Sequence, residues 1–441
     1  MLVRKKSAIM ISTILNPSHP LDFVEVVGYI NPRSQRTELI LEDTIMADRN
    51  EAYIISACRS AIGTLHSGLG SFTAPQLGAF AVAESIKRAG VNPVDIDEVI
   101  MGQVVQGGAG QAPARQAALN GGVPPEVAAM TINKVCGSGL KAVMLAAQAI
   151  RAGDANCIIA GGMESMSQTP YVIRGAKTGT KFGHQKLEDI MISDGLWCSF
   201  KNWHMGSAAE LTARQANITR LDQDQFALKS HQKAAAATKA GKFRAEMFDI
   251  AIPQRKGDPI IFNTDEAIRA EISLEALAKL KPAFEKDGTV TAGNAPGLND
   301  GSAASIVVSE KYMKEKNLKP LARVVEYAVA GTPPELLFFS PIYAIQKLMA
   351  KMKVNINHWD LIEANEAFSA QALADGKGLG WDWDRVNVNG GAVALGHPIG
   401  ASGTRILATL IYALKDRGKK NGLATLCLGG GNAVALAIEL V

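Results

Sequence analysis

The chain has 441 residues, 47% hydrophobic and 20% charged, with 42 Gly and a net charge of +4. This balance argues against intrinsic disorder and leaves no basic footprint for nucleic acid, and the chain contains no run near the roughly 18 apolar residues of a membrane span. The length allows two or three domains at about 150 residues each, and with aromatics at 6% the core must rest on Ala, Val, Ile, Leu and Met.

Residues 1–45 differ in texture from the rest of the chain. A basic start (Arg4, Lys5, Lys6) leads into a short apolar patch at 8–15, and the segment as a whole is charge-neutral. The patch is too short for a signal peptide, and the acidic residues argue against a mitochondrial presequence. Met46 followed by A-D-R-N reads like an ordinary start, so residues 1–45 are expected to be an extension outside the fold. From residue 52 the pattern alternates: a strand at 53–57, a helix at 77–88 stopped by Gly90, a strand at 98–105, and a helix at 111–120 closed by Gly121. Such alternation predicts an α/β domain with a sheet covered by helices.

One unit then occurs twice. G-S-G at 137–139 opens an amphipathic helix that stops near Gly153, and an apolar strand at 157–160 runs into Gly161-Gly162. G-A-S-G at 400–403 opens a second such helix, stopping near Gly418, and a strand at 423–426 runs into Gly429-Gly430-Gly431. The repeat predicts two similar halves. Between them the texture changes to loops rich in Gly, Lys and Asp with isolated helices such as 223–240, which reads as an inserted loop region.

The five cysteines (58, 136, 157, 198, 427) are odd in number, widely spaced and without a CxxC, which argues against zinc and a disulfide scaffold. Cys136 lies in N-K-V-C-G-S-G (133–139), just before a predicted helix, where backbone N–H groups and the helix dipole favour a thiolate. A buried thiol in a tight turn accounts for it equally well. His397, in G-G-A-V-A-L-G-H-P-I-G (390–400), is held in a glycine-flanked loop and has the chemistry to activate a thiol. Cys427 ends an apolar strand beside three glycines, whose N–H groups suit an anion; alone it reads as a core cysteine. Asn365, in L-I-E-A-N-E-A-F (361–368), reads as a helix cap or as an amide that positions a water or oxyanion. H-M-G at 204–206 is a weak pocket signal, and the N-I-T sequon at 217–219 lacks a secretory context. No HExxH, P-loop or GxGxxG is present, so no metal is expected.

Taken together these segments, with G-G-M-E-S-M-S at 161–167 and residues 289–300, resemble the thiolase family in its acetyl-CoA acetyltransferase branch, over residues 51–441. The resemblance implies a five-layered fold of two βαβαβαββ halves: 46–317, with a loop domain inserted at about 166–291, and 318–441. It implies reversible ping-pong condensation of two acetyl-CoA to acetoacetyl-CoA and CoA. Cys136 would carry the acyl group, His397 would activate it, and Cys427 would be the acid/base at the α-carbon. The N–H groups of Gly429 and Cys136 would form one oxyanion hole, and His397 with a water on Asn365 the other. Leu196, His204, Arg269, Ala292, Leu298, Ala367 and Phe368 fall at CoA or acyl positions. No cofactor beyond CoA is implied, and a cytoplasmic homotetramer in a reducing compartment is. Four departures stand out: Pro296 and Ala276 in place of serines, L-L-F-F-S-P at 336–341 in place of V-M-G-x-G-P, and Gly431-Asn432 in place of Gly-Met-Gly. His204 favours the short-chain type. The open alternatives are a degradative 3-ketoacyl-CoA thiolase for longer or branched chains, a Cys-His hydrolase, and a CoA-binding protein without turnover.

Overall fold

The computed structural model describes residues 50–179 and 182–441. The expected extension at 1–45 lies outside them. Nine strands build the main sheet: β1 (Ala52–Ser60), β2 (Glu98–Gly102), β3 (Ala128–Ile132), β4 (Cys157–Ser165), β5 (Asn299–Ser309), β6 (Ala322–Gly331), β7 (Leu361–Ala364), β8 (Asn421–Leu428) and β9 (Asn432–Leu440). Their spatial order is β7-β8-β9-β6-β1-β5-β4-β2-β3, with two short strands added at the side.

The repeat is visible in the pairing. In the first half β1, β5 and β4 pair antiparallel in turn, and β4, β2 and β3 continue in parallel. In the second half β6, β9 and β8 pair antiparallel, β8 and β7 pair in parallel, and a parallel bridge from Ile362 to Val386 stands where a fifth strand would. The halves join edge to edge through only Tyr53–Arg323 and Ile54–Ala322.

Helices α1 (Ala74–Ala89) and α2 (Pro113–Asn120) cover one outer face, where Leu77, Val82 and Ala117 pack on Val99, Ile159 and Ile306. Helix α3 (Ser138–Ala152) and its counterpart α8 (Ser402–Asp416) fill the middle, with Leu140, Met144, Ile406 and Leu410 in one cluster with both halves' strands. Helix α6 (Ser340–Met352) and Trp359 cover the second outer face, and α7 (Ser369–Leu379) packs through Ala370 and Ala374 on Ala213. Reading across gives helix, sheet, helix, sheet, helix, with α8 buried on nearly every side.

Glycine permits the central contact. A Cβ on Gly139 would fall against Thr404, and one on Gly403 against the Leu140 backbone, so α3 and α8 cross where neither carries a side chain. The segment between β4 and β5 holds α4 (Met205–Gln215), α5 (Arg220–Lys239) and three two-stranded ribbons. In the 217–219 sequon, Asn217 takes a left-handed φ of 50° and Thr219 caps α5, so both serve helix punctuation. No described helix is long and apolar enough to cross a membrane.

Candidate active site

Cys136 sits in the turn from β3 to α3. Val135, just before it, has φ 47°, a left-handed conformation that is costly for a β-branched residue. Three hydrogen bonds hold it there. Asn133 accepts from the Val135 N–H at 2.9 Å, while the Ser138 hydroxyl donates to the Val135 carbonyl at 2.6 Å and accepts from the Lys134 N–H at 2.9 Å. Cys136 is partly exposed as a residue while its thiol points inward, and the N–H groups of Cys136 and Gly429 both turn toward the sulfur. They favour the thiolate, but burial outweighs them and pushes the thiol up to about 12. The thiolate expected from the helix N-terminus is thus not the resting form, and Cys136 needs a base.

His397 is placed to be one. Burial, with the charge of Arg405 beside it, lowers its pKa to about 3, so the ring is neutral at ordinary pH. Its Nδ1 lies 2.6 Å from the Ser402 hydroxyl, which itself donates to the Pro398 carbonyl at 2.9 Å. The proton of that hydroxyl is already engaged, so Nδ1 must donate to it and Nε2 keeps the free lone pair. Nε2 lies 3.5 Å from the Asn365 Nδ2, and the Asn365 Oδ1 is buried with no partner among the described residues. The His397 backbone N–H donates to the Asn299 side chain at 2.9 Å.

Asn365 follows β7. Its loop is held by Asn387, which pairs with both backbone groups of Ala364, at 2.9 and 2.8 Å, and donates to Glu366 at 2.8 Å. Glu366 in turn accepts from Ser230 and from the Val393 N–H. Cys427 is the last residue but one of β8 and is 1% exposed; burial, then the neighbouring Cys136, raises its thiol well above the usual range. After it, Gly430 and Gly431 take φ 80° and 86°, turning the chain back into β9.

These groups meet in a cavity of about 370 Å³ lined by Cys136, His397, Cys427 and Gly429 together with Leu196, His204, Ala292, Leu298, Ala367 and Phe368. Asn365 stands behind His397 rather than on the wall. Arg269 is elsewhere: it lines a second cavity of about 470 Å³ with Ala276, Leu277 and Leu280. The two adjoin, because Gly293, next to Ala292, packs against Leu277 and Leu280. Of the departures from the family pattern, Pro296 and Phe338 line the first cavity and Ala276 the second. His204 accepts from the Gly206 N–H at 3.0 Å through Nδ1 and stacks on Phe284 at 4.7 Å; a Cβ on Gly206 would strike that Phe284 ring.

Sequence reading passed over Ser402, Asn299 and Phe284. Ser402 was readable only as part of a helix-opening glycine run, though its position five residues after His397 was a usable signal. The other three cysteines, at 58, 157 and 198, are buried free thiols away from the cavity lining. No group of three or more His, Cys, Asp or Glu among the described residues is arranged to hold a metal.

Two family models match the chain: thiolase, N-terminal domain, over residues 52–311, and thiolase, C-terminal domain, over residues 318–440. An acetyl-CoA acetyltransferase of Pseudomonas aeruginosa is 53% identical over 388 residues, 88% of this chain and 99% of that protein. One of Escherichia coli is 50% identical over 387 residues, covering 88% and 98%. The crystal structure of the Bacillus anthracis acetyl-CoA acetyltransferase superposes with a TM-score of 0.87 at 44% identity, covering 89% of this chain and 99% of that one.

Proposed function

The chain belongs to the thiolase family, and we propose that it is an acyl-CoA C-acyltransferase that interconverts two acetyl-CoA with acetoacetyl-CoA and CoA. The observation that carries this reading is the pair of thiols, Cys136 and Cys427, on the wall of one apolar cavity with a neutral imidazole between them and the Asn365 amide. A hydrolase needs one thiol and a water; carbon–carbon bond chemistry on a thioester needs a nucleophile and a separate acid/base.

In thiolysis, His397 Nε2 takes the proton from Cys136, and the thiolate attacks the 3-keto carbonyl. The C2–C3 bond breaks, and the enolate carbon takes the proton of Cys427. The raised pKa of the Cys427 thiol keeps that proton in place until a carbanion demands it. CoA then gives its thiol proton to Cys427, attacks the acyl-Cys136 thioester, and Cys136 leaves with the proton held on His397. Condensation is the reverse. Once protonated, His397 Nε2 is itself a donor aimed at developing negative charge, and its depressed pKa makes it a strong one. The Cys136 and Gly429 N–H groups supply a second set of donors.

The chain works with CoA thioesters alone in this reading and holds no other cofactor. The apolar cavity suits a pantetheine arm, and the exposed Arg269 on the adjoining cavity suits the phosphates of CoA. Exposed Tyr171, Trp197 and Phe200 in the inserted region fit burial between subunits of a homotetramer. The composition and the reduced thiols fit a cytoplasmic protein.

The test is a pair of variants given radiolabelled acetyl-CoA. Cys136→Ala should form no acyl-enzyme. Cys427→Ala should still be acylated yet make no acetoacetyl-CoA. Label that stays on the Cys136→Ala protein, or hydrolysis that ignores loss of Cys427, would overturn the assignment.

A further inference from the structure

We propose that the buried Glu363 carboxyl and Arg405 guanidinium form a clamp that sets the distance between Asn365 and His397. The inference rests on the acyl-transfer reading above and names two positioning residues for it.

Each partner lies behind one of the catalytic groups. Glu363 is in β7, and Asn365 follows it by two residues. The Asn365 N–H still donates to the Thr425 carbonyl at 3.0 Å, so the extended backbone runs on past the end of β7. Residues two apart on such backbone share a face. Arg405 is in α8, three residues after Ser402, and residues three apart share a helix face. The two elements thus meet twice. In front, Asn365 Nδ2 lies 3.5 Å from His397 Nε2, on the ring that Ser402 holds. Behind, Glu363 Oε2 lies 3.9 Å from Arg405 Nη1.

The charges around this pair are already engaged. Arg59 holds Glu246; Glu366 accepts from Ser230, Asn387 and the Val393 N–H; Lys233 donates to the Trp383 and Val386 carbonyls. Glu363 and Arg405 are 1% and 2% exposed, and neither side chain has a hydrogen bond among the described residues. Such a pair adds little to stability. Burial raises the Glu363 carboxyl to about 8, so the attraction of Arg405 does not offset the loss of water. Two apolar side chains would fill the space as well, but they would exert no pull between β7 and α8.

That pull acts at the front pair. In the acyl-transfer reading, protonated His397 Nε2 donates to the charge that develops on the thioester oxygen, with the Asn365 amide beside it. A misplacement of about 1 Å costs up to about 100-fold in rate. Neither Glu363 nor Arg405 lines the cavity, so substrate binding does not depend on them. Glu363 gains its charge, and the clamp its full pull, as pH rises through about 8.

The experiment follows condensation of acetyl-CoA across that pH. It measures kcat, KM and the unfolding midpoint for the wild type, Glu363→Gln, Arg405→Lys, Arg405→Met and the double variant Glu363→Leu/Arg405→Met. Wild-type kcat should rise as pH passes about 8, and Glu363→Gln should abolish the rise. On the alkaline side Glu363→Gln should lower kcat by about tenfold or more, with KM within about twofold. Arg405→Lys keeps the charge and should retain more activity than Arg405→Met. The double variant should unfold at or above the wild-type temperature and still show the lowered kcat. A double variant that recovers wild-type kcat makes the pair a packing feature and overturns the proposal. So does a Glu363→Gln protein that keeps the alkaline rise, or one whose loss is confined to KM. The Gln and Lys variants decide the matter if the double variant does not fold. All these results leave acyl transfer standing. A wild type that makes no acetoacetyl-CoA overturns the acyl-transfer reading and this inference with it.

Discussion

Ser402 decides which nitrogen of His397 is basic. Its hydroxyl proton goes to the Pro398 carbonyl, which leaves only an acceptor for Nδ1. Ser402→Ala removes that acceptor and frees the ring to adopt the other tautomer, with Nε2 protonated and useless as a base. We expect kcat to fall by about 10²-fold or more with KM nearly unchanged, because Ser402 lies behind the imidazole and off the cavity wall. Steady-state kinetics across pH check this, and a loss confined to KM would refute it. The sequence made Cys136, His397, Cys427 and Asn365 legible because each sits in a stretch of glycines or polar residues that packing alone does not explain. Ser402 was hidden for the opposite reason: a serine at a helix start already has an ordinary explanation. The ionisation of Cys136 was misread locally, since the helix N-terminus is visible in sequence and the burial that outweighs it is not.

At the scale of elements, the α3–α8 crossing joins the two halves of the site. α3 carries Cys136 at its entry, and α8 carries Ser402, which holds His397. A methyl group on Gly403 would meet the Leu140 backbone, which has no rotamer to move aside. We therefore expect Gly403→Ala to cost about 1–3 kcal/mol through overpacking and to lower kcat as well, since any relief separates Cys136 from His397. Thermal unfolding and acetoacetyl-CoA thiolysis measure the two effects; a stable, fully active variant would show that the crossing is not tight. The helices and their glycine entries were legible from spacing. The edge pairing of Tyr53 with Arg323 was not, because main-chain pairing leaves no residue-type signature. Element ends moved for local reasons: the helix expected at 111–120 starts at Pro113, a residue whose fixed φ and missing N–H suit a first helical position.

For the molecule as a whole, buried titrating groups set opposite limits on stability. His397 and His231 are lowered to about 3 and about 4 from 6.5. Between those values and 6.5 the unfolded chain binds protons that the fold refuses, so stability falls as pH drops through that window. Glu164 and Glu363 are raised to about 7 and about 8 from 4.5. They favour the fold fully below 4.5 and lose that contribution as pH rises through 7 and 8. The two trends oppose each other between about 4.5 and 6.5 and act alone outside it, which predicts a plateau there with a decline on each side. His397→Asn should flatten the acid decline and Glu164→Gln the alkaline one, as read by the unfolding midpoint against pH. A limb that keeps its slope in its variant would rule out that group as the cause.

The crossing of α3 and α8 has one more consequence. Matching the first residues of these helices sets Gly400 opposite Cys136 and Met163 opposite Cys427. The internal repeat therefore offers two equivalent positions, and only one of them carries the two thiols. At the other, a Cβ on Gly400 would land on the Met163 carbonyl and the Glu164 carboxylate, and Glu164 accepts the Gly400 N–H at 2.9 Å. The second position is filled by these contacts, and they brace the loop that carries His397. One position of the repeat thus presents the thiols, and the other helps to hold the loop of the imidazole in place.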